Sequence, residues 1–234
     1  DSIYFLSFAD DNQKYSYAAS FGVADISDVK AMQLRPLLKN FQSFSVREKS
    51  ALNIVKKITG KNGVCHIDPT LLLKKDEWQK ISVKKIDKPY ILVFNVKPVK
   101  SLIDFAEKLS KKAKIPVVYI TDNPQKKRKN FTYVSAPTVE EFLGYFANAD
   151  YTVTNSFHGT AFSVIFHKNM FVEYETAKGF NHRAKNLLQT IGINREIKDG
   201  EAVTTDIDWN KVDNILQAER KLSLDYLKDI IKGE

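Results

Sequence analysis

Between residues 90 and 192 short apolar runs recur among stretches of helical period, and this pattern constrains the fold more than any other feature of the chain. "YILVFNV" (90–96) is a β-rich run behind Pro89. "SLIDFAEKLSKKA" (101–113) carries apolar residues at 102, 103, 105, 106 and 109, one stripe of a helix. "IPVVYIT" (115–121) is almost wholly apolar, as suits a parallel strand covered on both faces. "FTYVS" (131–135) reads as a further strand. In "PTVEEFLGYFANAD" (137–150), Thr138 precedes Glu141 by the spacing of a capping box, and positions 139, 142, 143 and 146 form an apolar stripe. "YTVT" (151–154) and "MFVEY" (170–174) read as strands. "TAFSVIF" (160–166) reads as a buried helical turn, and "FNHRAKNLLQTIG" (180–192) as a helix ending at Gly192. Strands joined by helices predict an α/β protein with a doubly wound parallel sheet, its ligands at the carboxyl ends of the strands.

The flanks are read by the same rules. Residues 1–74 give a smaller, incomplete domain of the same kind, with strands in "SIYFLSF", "YSYAASFGV", "QSFSVR" and "VCHIDPTLLL". Its helices are "MQLRPLLKNF", with a proline inside or near its start, and "EKSALNIVKKITG", ending at Gly60. Residues 75–89 are polar, charged and aperiodic, and read as a linker. The second domain spans 90–207. In 208–234, Val212, Ile215, Leu216, Leu222, Tyr226, Leu227, Ile230 and Ile231 share one side of a long helix, expected to pack back across the domains.

Composition narrows the function. Hydrophobic residues make up 43% of the 234 and charged residues 27%, too apolar for disorder. No apolar run approaches the roughly 20 residues that span a bilayer. The opening "DSIYFLSFADD" lacks a basic n-region and a cleavage pattern, so no signal peptide is read. It opens on Asp, not Met, as a trimmed or partial chain would. The single cysteine, Cys65, excludes an intrachain disulfide, reads as a small buried hydrophobe, and points to the cytoplasm. The net charge of +8 favours an anionic partner and makes peripheral contact at the inner face of a membrane a further expectation. The most basic run, "QKKRKN" (125–130), reads as a solvated loop. CxxC, HExxH, GxxxxGK[ST], GxGxxG and GxSxG motifs are all absent, so no metal and no cofactor is expected.

The candidate site centres on "NSFHG" (155–159), between a strand ending at Thr154 and a helix from about Thr160. Helix-start N–H groups and the helix dipole make an anion site there. Asn155, Ser156 and Gly159 suit caps and a close backbone approach, with Thr160 in the same turn. His158 is the candidate acid. The helix terminus favours its neutral form, and a multiply charged ligand in contact favours imidazolium. Arg47, after the strand in "SFSVREKS", offers a guanidinium fork for a carboxylate or phosphate; the plainer reading pairs it with Glu48 on the surface. Lys178 and Arg183 place two cations after "MFVEY". These loops follow strands of parallel units, and convergence on one cleft is expected. His66 and His167 read as structural, and His182 as lying near the ligand or only on its helix.

Four stretches together resemble the polysaccharide pyruvyl transferase family. They are "YAASFG" (17–22), "SVRE" with "ITGK" and "DPTLLL" (45–73), "TNSFHGTAFSVIF" (154–166), and the closing helix with Trp209, Glu219, Arg220 and "SLDYL". The resemblance implies a GT-B-like fold: two Rossmann-like doubly wound domains, the first of them incomplete here. It implies transfer of pyruvate from phosphoenolpyruvate to a sugar hydroxyl pair, forming a ketal, in cell-surface polysaccharide synthesis. It puts His158 at the catalytic position and Arg47 and Lys178 on the donor. Read from the residues themselves, Ser20, Asn155, Ser156, Gly159, Thr160 and Arg183 are the further binding candidates. Ser156 stands where several relatives carry Arg. The partners implied are phosphoenolpyruvate and a glycan or lipid-linked sugar, and no nucleic acid.

Two rivals share parts of this pattern. A GT-B glycosyltransferase taking a nucleotide sugar would need a carboxylate for the ribose, for which Glu173 and Glu175 are candidates. A non-catalytic binder of anionic glycans or nucleic acid would rely on the net charge alone and show steep salt dependence.

Overall fold

The computed structural model describes residues 2–96, 99–122, 127–176, 179–198, 200–202 and 206–232. In chain order the elements are α1 (Asp28–Leu38), β1 (Ser45–Val46), α2 (Lys49–Thr59), β2 (Val64–Cys65), α3 (Lys75–Ile81) and β3 (Ile91–Phe94). There follow α4 (Lys100–Ala113), β4 (Val117–Ile120), β5 (Phe131–Val134), α5 (Val139–Asn148), β6 (Tyr151–Thr154), α6 (Phe157–Ile165) and β7 (Asn169–Val172). Two short hairpins, β8 (Glu175–Thr176) with β9 (Gly179–Phe180) and β10 (Ile197–Lys198) with β11 (Glu201–Ala202), flank α7 (His182–Thr190). The last element is α8 (Trp209–Lys232). The chain forms two compact units, Asp1–Leu72 with Asp213–Glu234, and Leu73–Val212.

The larger unit holds a five-stranded sheet in the order β5-β4-β3-β6-β7, parallel throughout. This is the 3-2-1-4-5 order of a Rossmann-like, doubly wound sheet, the class from which GT-B-like proteins are built. The strands are apolar because both faces are covered. Ile91, Val93, Val117, Tyr119 and Val153 pack with Leu102 and Ala106 of α4. On the other face Phe94 meets Phe142 and Phe146 of α5 edge-on, at 5.1 and 6.1 Å between ring centres. There too the hydroxyls of Thr152 and Ser163 of α6 lie 2.7 Å apart.

β3 pairs with β4 on one side and β6 on the other. The order reverses at that point, and a crevice opens at the carboxyl ends of the two strands. The expected capping box starts α5: Thr138 Oγ1 accepts from the Glu141 N–H, and the Glu141 carboxylate accepts from the Thr138 N–H. The polar stretch read as a linker is helical as α3, and this helix packs on α5. Trp78 of α3 sets its ring against Phe162, 5.4 Å between centres. Trp78, Ile81, Val83 and Ile86 keep no helical period within this charged stretch, yet Trp78 anchors the helix. The basic run is not wholly solvated: Arg128 bridges Asp104 at 2.6 Å and Glu107 at 2.5 Å, and Lys100 and Lys111 of α4, with Arg128, hold the two carboxyls below their ordinary range.

In the smaller unit β1 pairs in parallel with β2, and Tyr15 and Ala19 make parallel bridges to Ser43 and Val46. Phe41, Phe44, Val46, Ile54, Val55 and Ile58 form its core with Ala31 and Leu38 of α1. Arg220 and Tyr226 of α8 are tied to it, donating to the carbonyls of Leu71 and Ser16. Strands expected in 2–8 and 15–23 are absent as ladders. Residues Ser2–Phe5 form a 3₁₀ turn, with Ile3, Tyr4 and Phe8 exposed. A β-rich run is held as a strand only by a neighbour to pair with. Pro36 falls near the end of α1, not its start, because the helix begins eight residues earlier at its Ser27 cap. Cys65 is half-buried rather than buried. Among the described residues no helix is long and apolar enough to cross a membrane.

Candidate functional site

Thr154, the last residue of β6, straps the sheet at its reversal point. Its Oγ1 donates to the Phe94 carbonyl at 2.5 Å and accepts from the Ser156 N–H at 3.0 Å. Ser156 then caps α6, its Oγ accepting from the Gly159 N–H at 3.3 Å. The helix therefore starts at Phe157, three residues before the expected Thr160, and His158 is its second residue rather than part of a turn. Phe157 and Gly159 are buried while His158 between them is exposed. Its imidazole stands at the carboxyl edge of the sheet, in the first turn of a helix whose dipole favours an anion.

Gly159 is required by packing. A Cβ there would meet Thr154 Oγ1 at 2.3 Å and Phe94 Cδ1 at 3.2 Å. Asn155 is buried, and its carbonyl accepts from Asn181 Nδ2 at 2.8 Å. Asn181 also caps α7 by accepting from the Ala184 N–H. That link sets the start of α7 beside the start of α6, and the Arg183 guanidinium lies over the Phe157 ring, 5.9 Å from its centre. The structure thus gathers Asn155, Ser156, His158, Gly159 and Arg183 at one sheet edge. Thr160 is not at the surface of this edge: it is fully buried and its hydroxyl donates to the Ser156 carbonyl at 2.9 Å. Lys178 lies outside the described residues.

Arg47 and Ser20 come together in the smaller unit. The Arg47 N–H donates to the Ala19 carbonyl at 3.1 Å, and its guanidinium pairs with buried Asp68, not with Glu48. Glu48 is 2% exposed and accepts from Ser20 Oγ at 2.8 Å. His66 is structural, as expected. It is buried between Tyr17 and Tyr226, its Nδ1 lies 2.9 Å from Ser45 Oγ, and burial lowers its pKa. His167 stacks on Trp209, and His182 is exposed at the first residue of α7. Glu173, a candidate ribose ligand, is buried and accepts from Ser101 Oγ at 2.5 Å; the side chain of Glu175 lies outside the described residues. Among the described residues no three of His, Cys, Asp or Glu are grouped to hold a metal ion.

A cavity of about 850 Å³ opens beside His158, within the larger unit. Ser156 and His158 line it, together with Phe94 and Asn95 after β3, Asp122 after β4, Phe142 of α5, Phe162 of α6 and Trp78 of α3. Sequence reasoning passed over Asn95, Asp122 and Trp78. The only signals were a polar residue closing the run "ILVFN" and a lone tryptophan in a charged stretch. Asn95 is 8% exposed, and its Oδ1 accepts from the Tyr119 hydroxyl at 2.9 Å. Burial pushes the Tyr119 phenol up, so it stays a donor, and the amide Nδ2 is turned away from it.

The family model for polysaccharide pyruvyl transferase matches residues 1–174. No curated protein matches the chain significantly. The match covers 174 of 234 residues, with part of each unit among them, and includes the strap, the cap and His158. By this match and by the fold that carries it, the chain belongs to the polysaccharide pyruvyl transferase family and is a transferase of polysaccharide biosynthesis.

Proposed function

We propose that the donor is phosphoenolpyruvate and that the product is a cyclic pyruvate ketal on a glycan or lipid-linked sugar, with His158 as the acid. The observation that carries this reading is the exposed imidazole in the first turn of α6 at the sheet's reversal point. His158 donates a proton to the methylene carbon of phosphoenolpyruvate, leaving an oxocarbenium-like centre at C2. A sugar hydroxyl attacks C2, phosphate departs, and a second hydroxyl closes the ring. One hydroxyl proton returns to the imidazole and the other leaves with phosphate. The donor's carboxylate and phosphate call for cations and the positive end of a helix dipole. The start of α6 and Arg183 supply these, with Lys178 and Arg47 as further donor ligands in this reading. Arg47 is held by Asp68, which fixes the fork before any ligand arrives.

Phosphate release from phosphoenolpyruvate, assayed with galactosyl, mannosyl and mannosaminyl acceptors, tests the reading. His158→Gln is expected to cut turnover roughly 10²–10⁴-fold. Arg47→Lys keeps a charge on Asp68 but removes the fork, and is expected to raise KM for phosphoenolpyruvate. Near wild-type turnover in both variants would end the assignment.

A further inference from the structure

We propose that the cavity walled by Trp78, Phe94, Phe142 and Phe162 is the acceptor subsite and takes the pyranose ring of a neutral sugar. Trp78 is its ring platform, and Asn95 and Asp122 are its hydroxyl partners. The inference rests on the reading of His158 above and adds which side of the imidazole the sugar occupies.

Charge is the first argument. Among the described lining residues none is Lys or Arg, and Asp122 brings a carboxylate. A small polyanion would give up its water there against aromatic faces and a like charge, which is costly. Arg183, which lies over Phe157, is not among those lining residues. Away from the start of α6, the described aromatic and acidic lining suits an uncharged ring better than a polyanion.

Shape and polarity agree with a sugar. A pyranose has two apolar C–H faces and a rim of hydroxyls, and the cavity has an aromatic wall with a few polar groups. Phe94, Phe142 and Phe162 hold one another edge-on at 5.1 and 5.8 Å, and Trp78 stands edge-on to Phe162. The polar groups are placed by the fold. Asp122 Oδ1 accepts from Ser135 Oγ at 3.0 Å and from the Ala136 N–H at 3.1 Å, so the carboxylate is set in place to accept from a ligand hydroxyl. Asn95 is the strongest sign. Its Nδ2 is buried and makes no hydrogen bond among the described residues, while its Oδ1 is occupied by Tyr119. A buried donor left unmade costs about 1–3 kcal/mol, and a hydroxyl oxygen entering the cavity relieves that cost. About 850 Å³ also exceeds what a three-carbon donor fills. Ser156 and His158 close the cavity at the start of α6, so a ring seated there presents its hydroxyls to the imidazole.

Saturation-transfer NMR on the full chain tests this with four probes: methyl β-galactopyranoside, methyl α-mannopyranoside, phosphoenolpyruvate and uridine diphosphate. Two variants accompany the wild type. Trp78→Ala removes the platform, and Val139→Trp fills the cavity from a position 64% exposed, where a larger side chain leaves the core untouched. At least one pyranoside is expected to bind, to bind roughly tenfold more weakly in both variants, and to leave phosphoenolpyruvate binding unchanged. The subsite is overturned if neither pyranoside binds, or if pyranoside binding survives Val139→Trp. It is also overturned if phosphoenolpyruvate binding falls together with the pyranosides, or if uridine diphosphate displaces them. Failure of phosphoenolpyruvate to bind the wild type overturns the donor reading instead, and the pyranoside arm still decides the cavity.

Discussion

Gly159 carries the geometry of the site at the scale of one residue. Alanine there would press its methyl against Thr154 Oγ1, the atom that straps β6 to β3 and orients the Ser156 cap. The strap is backed by the sheet, so it has little room to yield. Gly159→Ala is expected to destabilise the protein by about 1–3 kcal/mol, read from urea unfolding. It should also lower turnover by displacing His158 from the sheet edge. "NSFHG" marked this place in the sequence because Asn, Ser and Gly suit a turn with a close backbone approach. What approaches Gly159 was not legible, since Phe94 lies 65 residues earlier in the chain. The opposite failure is Thr160, placed in the site by adjacency alone. A helix that starts three residues sooner turns its side chain into the core.

At the scale of elements, α5 shows what local chemistry can specify. Its start was readable from Thr138 and Glu141 because a capping box closes within three residues. Thr138 also lines the cavity, so its cap holds part of the proposed sugar wall. Thr138→Ala is expected to cost about 1 kcal/mol, seen as a lower melting temperature and faster amide exchange in the first turn of α5. The cost has a second source nearby: the Val83 N–H donates to the Glu140 carbonyl, and Gly144 leaves room for the Val83 carbonyl. α3 and the segment behind it are held by such contacts with α5 rather than by their own pattern, which is why they read as a linker. The strands expected in residues 2–8 and 15–23 failed in the reverse sense. Their β-rich composition was real, but residues 2–5 form a 3₁₀ turn and 15–19 make only isolated bridges.

At the scale of the whole molecule, residues 213–234 complete a unit begun by residues 1–72. His66 lies at that junction of distant segments, flanked by Tyr17 and Tyr226. Burial holds its pKa below the ordinary 6.5. Below about pH 6.5 the unfolded chain therefore binds a proton that the folded chain refuses, so stability falls as pH falls through that range. Amide-exchange opening free energies at Val46 and Ile54 are expected to decrease from pH 7 towards pH 5.5, and His66→Gln should flatten the slope. An unchanged slope in that variant would place the sensitive group elsewhere. Side-chain periodicity determined the α/β class and the strands of the large sheet, and the turn residues of "NSFHG" the approximate position of His158. Each of these follows from side-chain pattern over a few successive residues, which is a local quantity. Only the tertiary structure decided that β3 and β6 are neighbours, that Asn95 and Trp78 share a cavity with His158, and that Arg47 is clamped by Asp68. Those facts depend on which distant segments pair and pack, and a one-dimensional pattern is nearly the same for every strand order that buries the same faces.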